Sequence, residues 1–164
     1  MKGLVLYRSH YGNTKLVAEA LARELGAAGV ETQLQDLRRK LPNLASFDVL
    51  LVGAPTRMAN ACGRARRLLR KLRKRGFGKG RVALFDTYGP IPKDPEELEK
   101  GRKWLFPGAA GILQAIAMGQ GLDVHPALLR CEVVGMKGPL GENELDKAKS
   151  FVEGLVDALG KKTA

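Results

Sequence analysis

Short apolar runs alternate with stretches of helical period along this chain, and that rhythm constrains the fold more than any other feature. Lys2-Gly3-Leu4-Val5-Leu6-Tyr7 has the length and apolarity of a strand buried on both faces. Leu16, Val17, Ala20, Leu21 and Leu25 then recur at helical spacing, and Gly26 and Gly29 close that helix. Val30 to Leu37 reads as a second strand and Phe47 to Gly53 as a third, entered from a Pro42-Asn43 turn. Ala65, Leu68, Leu69 and Leu72 form one apolar helical stripe, ended by Gly76, Gly78 and Gly80, and Arg81 to Phe85 is a fourth strand. Residues 87–104 read as a long proline-bearing loop with a short helix around Pro95 to Trp104. Pro107 opens a further helix through Ala109, Ile112, Leu113, Ile116 and Ala117. Leu128 to Val134 is the fifth strand, and Glu142 to Leu159 a closing amphipathic helix. Strands joined through helices imply right-handed crossovers and a parallel sheet covered on both faces. The expectation is therefore a three-layer, doubly wound α/β domain spanning residues 1–164, a length that supports one substantial core.

Charge is distributed unevenly. Eleven of the 28 Lys and Arg residues lie between Arg57 and Arg81, a stretch without Asp or Glu, and the other seventeen balance the seventeen acids elsewhere. The net charge of +11 thus resides in this one stretch, ten of whose cations belong to a basic helix over 64–81. Such an element either docks an acidic partner, a nucleic acid or an anionic membrane, or is a solvated helix face. Aromatic residues are 5% of the chain, which disfavours nucleic-acid reading by base stacking. No apolar run approaches the roughly 20 residues of a membrane span, and no secretory leader is evident. Two cysteines make no disulfide framework, so a reducing cytoplasm is the expected location. Cys62 and Cys131 read as packed residues, His125 as an exposed turn residue, and no Cys/His spacing suits a metal.

In an open α/β sheet, ligands bind beyond the carboxyl ends of the strands. The first such loop, Ser9-His10-Tyr11-Gly12-Asn13-Thr14, offers hydroxyls, a glycine and the amides of a helix start, the makings of an anion site. It is neither a Walker loop nor a dinucleotide fingerprint. It resembles the phosphate loop of flavodoxin-like FMN proteins, and its Tyr-Gly-Asn-Thr ending is similar to that of the NAD(P)H:quinone oxidoreductase branch and of flavodiiron-type flavodoxin domains. Gly53-Ala54-Pro55-Thr56-Arg57-Met58-Ala59-Asn60 resembles the Pro-Thr-Arg segment that wraps the isoalloxazine in quinone oxidoreductases. Asp86-Thr87-Tyr88-Gly89-Pro90 stands where the third flavin loop would, and Gly135 to Leu140 also looks flavodoxin-like.

The resemblance implies a flavodoxin-like fold with strand order 2-1-3-4-5 and FMN as cofactor. It places Ser9, His10, Tyr11, Gly12, Asn13 and Thr14 on the phosphate. Pro55, Thr56, Arg57, Met58, Ala59 and Asn60 would line one side of the ring and Thr87, Tyr88 and Gly89 the other. No catalytic acid or base is required, because the flavin carries the redox chemistry. The expected function is electron transfer through bound FMN, with an acidic redox partner docking at the basic helix. Two other readings remain open: an NAD(P)H-dependent quinone or flavin reductase, and an FMN-free module that binds acidic partners or nucleic acid. Leu105 to Gly119, almost wholly apolar, is a candidate face for a homo-oligomer.

Overall fold

The computed structural model describes residues 1–163, without the side chain of Thr163; Ala164 lies outside the described residues. Five parallel strands, β1 (Lys2–Tyr7), β2 (Glu31–Asp36), β3 (Val49–Pro55), β4 (Arg81–Tyr88) and β5 (Asp123–Glu132), form one sheet in the order β2-β1-β3-β4-β5. The helices are α1 (Asn13–Ala27), α2 (Gly63–Lys71), α3 (Pro95–Leu105), α4 (Gly108–Gly119) and α5 (Lys147–Thr163). The expected fold class and strand order are both observed.

Alternation along the central strands divides the core into two layers. Leu4, Leu6, Leu50, Val52, Val82 and Leu84 point to the face covered by α2 and α4. Val5, Tyr7, Val49, Leu51, Ala83 and Phe85 point to the face covered by α1 and α5. Burial on both sides explains why these strands read as continuous apolar runs. β2 lies at an edge and is mostly polar, with only Asp36 buried. Its crossover to β3 carries no α-helix, only a short 3-10 turn at Leu44–Ser46, and Leu37, Leu44 and Phe47 of this connection fill the α2 layer.

Element boundaries move where tertiary pairing overrides local pattern. β5 begins at Asp123 rather than Leu128, because Asp123 and Val124 pair with Arg81 and Val82 before a register shift. His125 is therefore buried in β5, edge-on to Phe151 at 5.6 Å, and is no exposed turn residue. α5 starts at Lys147, after a 3-10 turn at Glu144–Asp146 that replaces the expected first turns. α4 buries Ala109, Ala110, Leu113 and Ala117 against its own chain, so its apolar character is largely spent on β4, β5 and α2. Burial pushes the thiol of Cys131 up to about 12, which leaves it an inert core residue.

Two of the helices differ sharply in construction. α3 has Asp94 at its N-cap accepting from the Glu97 amide at 3.1 Å, Pro95 at its start, Glu96 and Glu97 in the first turn, and Arg102 and Lys103 in the last. Each of these suits the helix dipole. α2 has Cys62 at its N-cap with no side-chain cap bond, and no acid in its first turn, where Arg64 and Arg66 stand instead.

Candidate flavin site

Three loops meet where β1, β3 and β4 end. The turn after β1 is closed by Ser9, whose Oγ accepts from the Gly12 amide at 3.0 Å. Gly12 adopts φ +98°, a left-handed conformation that side chains resist, and open space lies where its Cβ would be. α1 begins directly after it. No side chain caps this start, and among the described residues the amides of Asn13, Thr14 and Lys15 find no acceptor. Three unpaired donors at the positive end of a helix, beside the Ser9 and Thr14 hydroxyls, form a cradle that could hold a phosphate. Buried Thr14 shares a 2.8 Å hydrogen bond with Thr87, which ties the first loop to the end of β4. His10 sits below its ordinary value, through desolvation first and then the positive charges of Arg57 and Arg8.

The second loop leaves β3 with the Thr56 amide donating to the Thr87 carbonyl at 2.8 Å. Arg57 and Asn60 exchange two backbone bonds, at 3.0 and 2.9 Å, around Met58 (φ 49°) and Ala59 (φ 59°). This tight turn needs positive φ at both central positions, where Asn-Gly is the usual pair. A side chain in that conformation costs about 1–2 kcal/mol per residue. The strained tip pushes Met58 out to 88% exposure.

Behind both loops lies a polar cluster that spacing in sequence gave no means of assembling. Asp86, fully buried, accepts from Arg130 Nε at 2.9 Å, from the Ala110 amide at 3.0 Å and from Thr56 Oγ1 at 3.0 Å. Thr56 Oγ1 in turn accepts from the Ala109 amide at 2.7 Å, and Arg130 donates to the Leu105 carbonyl at 2.8 Å. The start of α4 and the end of α3 are thus fastened to the second loop. Gly108 makes this possible: at φ +72° it lies so close to the Arg130 guanidinium that a Cβ would fall 2.0 Å from Nη2. Burial pushes the Asp86 carboxyl up, against the opposing pull of Arg130 and of the bonds from Ala110 and Thr56. The Arg130 guanidinium carbon also lies 3.9 Å from the centroid of the Tyr88 ring, which fixes the back of that ring.

Ser9, His10, Tyr11, Asn13, Thr14, Pro55, Thr56, Arg57, Thr87, Tyr88 and Gly89 all line one cleft of about 60 Å³. Gly12 faces the adjoining cleft beside Arg8, Lys15, Arg38 and Arg39. Met58, Ala59 and Asn60 stand outside, in the turn beyond it. Val133 and Met136 complete the lining, and Asn13 reaches the Lys137 carbonyl at 3.1 Å. The resemblance of 135–140 to flavodoxin-like chains was the signal for this fourth segment. Thr87 and Tyr88 belong to β4 itself, which runs three residues past the apolar run that announces it. A cavity of about 780 Å³ opens at the other end of the sheet, over Phe47 and Phe77, away from every loop that a doubly wound sheet uses for ligands. Among the described residues no cluster of His, Cys, Asp or Glu could hold a metal.

The cradle therefore suits the phosphate of FMN. Arg57 and Lys137 lie 6.0 and 5.9 Å from the centroid of the Tyr11 ring, which borders the same cleft. Fold and loops together define an FMN-binding electron-transfer protein of the flavodoxin-like class. Residues 4–106 match the flavodoxin domain family, and the chain belongs to that family. Its fold is shared with an archaeal flavodoxin at 22% identity, covering 92% of each chain with a TM-score of 0.71. Flavodoxin 2 from Bacillus cereus is similar at 21% identity, over 96% of this chain and 99% of that one, with a TM-score of 0.74. A rubredoxin oxygen:oxidoreductase from Desulfovibrio gigas matches 99% of this chain at 16% identity, using 37% of its own length, with a TM-score of 0.69.

Proposed function

We propose that this chain is a cytoplasmic electron carrier that holds FMN between its first, second and third loops and exchanges electrons with an acidic protein. The uncapped start of α1 carries the reading: its free amides, with Ser9 and Thr14, would take the phosphate. Gly12 lets that phosphate approach the backbone, and His10, Tyr11 and Asn13 would surround it. Pro55, Thr56 and Arg57 would flank the ring, with Met58, Ala59 and Asn60 forming the outer turn. Thr87, Tyr88 and Gly89 would close the opposite side. Bound FMN supplies the one- and two-electron chemistry. The chain would position it, and Arg57, which lines the same cleft, would place positive charge beside the ring. Arg130 behind Tyr88 holds that aromatic face in place. No membrane-crossing helix exists among the described residues.

The visible absorption spectrum before and after FMN addition and desalting tests this reading. A yellow protein retaining equimolar FMN is expected; a protein that stays colourless overturns it. With FMN bound, NADPH oxidation in the presence of a quinone should be negligible. Sustained turnover would make the chain a reductase instead.

A further inference from the structure

Two basic walls face one another beside the first loop. Arg38, Arg39 and Lys40 follow β2, Arg64 and Arg67 stand on the first turns of α2, and Arg75 lies just beyond its end. All six line one groove of about 330 Å³ with a floor of leucine side chains. Arg38 is paired with Asp36 at 2.7 Å. Among the described residues, the other five have no carboxylate within ion-pair distance. Arg38 and Arg39 also line the adjoining cleft with Ser9, His10 and Gly12, so the positive surface is continuous with the phosphate cradle.

The stability of the helix does not explain these charges. α2 lacks an N-terminal side-chain cap and an acid in its first turn, and it sets Arg64 against the positive end of its own dipole. Arg64 and Arg67, three apart, repel one another, as do Arg67 and Lys71, four apart. The repulsion is relieved when negative charge enters the groove. Five of the six cations are arginines, whose planar forks pair with carboxylates through two bonds. The floor offers no aromatic ring on which a base could stack, and its leucines suit an aliphatic side chain set among acids.

We propose that the groove between α2 and the β2–β3 connection is the docking site for a carboxylate-rich segment of a protein partner. That this partner is a redox protein rests on the electron-carrier reading above; the chemistry of the groove does not.

Fluorescence anisotropy of a labelled decaglutamate peptide with the full chain tests the proposal, with labelled oligothymidine as a second probe. The triple variant R64Q/R67Q/R75Q should bind the peptide about tenfold more weakly or worse, with binding that weakens as salt rises. A reference variant with the same charge removed elsewhere, R23Q/K100Q/K149Q, should stay within about twofold of the original chain. Relief of repulsion should leave the groove variant melting no lower than the parent, which separates lost docking from lost folding. The proposal is overturned if the parent does not bind the peptide, if both variants weaken equally, or if oligothymidine binds more tightly than the peptide. FMN retention is read separately on the same proteins. A colourless protein that still shows the groove-specific loss would discard the electron-carrier reading and leave the docking site standing.

Discussion

α2 and α3 are of similar length and both end in basic residues, yet they are built on opposite principles. α3 has a side-chain cap, an N-terminal proline, acids at its start and cations at its end. α2 has none of the first three, and Arg64 and Arg66 occupy the turn where α3 carries Glu96 and Glu97. α2 holds because Ala65, Leu68 and Leu69 are buried against the sheet, not because its exposed residues favour a helix. The surface of α3 follows from local stability. The surface of α2 works against it, as the docking groove proposed above would require.

The largest expected effect is on the α3 side. Arg130→Leu strands the buried Asp86 and releases the Leu105 carbonyl, at a cost of about 3–5 kcal/mol and a fall in melting temperature of roughly 10 °C. Adding Asp86→Asn should restore part of that loss. Equal melting of the single and double variants would show that the pair does not anchor the end of α3. Next come two mirrored changes at the helix starts. Asp94→Ala should cost about 1 kcal/mol, roughly 2–4 °C. Cys62→Ser should gain up to a similar amount, because Cys62 already has the extended backbone of an N-cap at φ −63° and ψ 148°. If both substitutions destabilise alike, the contrast between the two starts is wrong. Arg64→Glu should raise stability by about 0.3–1 kcal/mol while weakening binding of the acidic peptide. A stability loss there would remove the argument that α2 is charged against its own interest.

The smallest effect is one of pH. Arg38 holds the Asp36 carboxyl below its ordinary 3.8 at the edge of the basic groove. A depressed native value means that the contribution is complete above pH 3.8 and lost as pH falls through the native value. Asp36→Asn should therefore flatten the acid limb of the stability curve by lowering stability slightly at pH 7 and leaving it unchanged at the acid end. An unchanged acid limb would show that the Arg38 fork contributes nothing in solution.

Sequence disclosed the fold where period and burial agree. β1 matches its apolar run to the residue, and the stripe of Ala65, Leu68 and Leu69 marks the buried face of α2. It failed where partners distant in the chain decide. Nothing local announces that Asp123 and Val124 extend β5, because their pairing with Arg81 and Val82 lies about forty residues away. The site divides in the same way. Its loops were legible through their order after the strands and their resemblance to flavodoxin-like chains. The Asp86–Arg130–Thr56 cluster was not, since it joins three strand ends with no shared motif. The Met58–Ala59 turn escaped notice because neither residue favours positive φ. The basic groove was half visible: Arg64 to Arg81 stood out as a run, whereas Arg38 to Lys40 became its second wall only when the β2–β3 connection folded beside α2.

The hydrogen bond between Thr14 and Thr87 sets an order of events during synthesis. It joins residues 73 apart, so the cradle cannot be completed while β4 is still inside the ribosome. At 5–20 residues per second, roughly 4–15 s separate translation of the two threonines. The nascent chain can form the turn at Gly12 early, but the finished cleft must await a strand from the middle of the sequence, so it is completed only after the first half of the chain has been made.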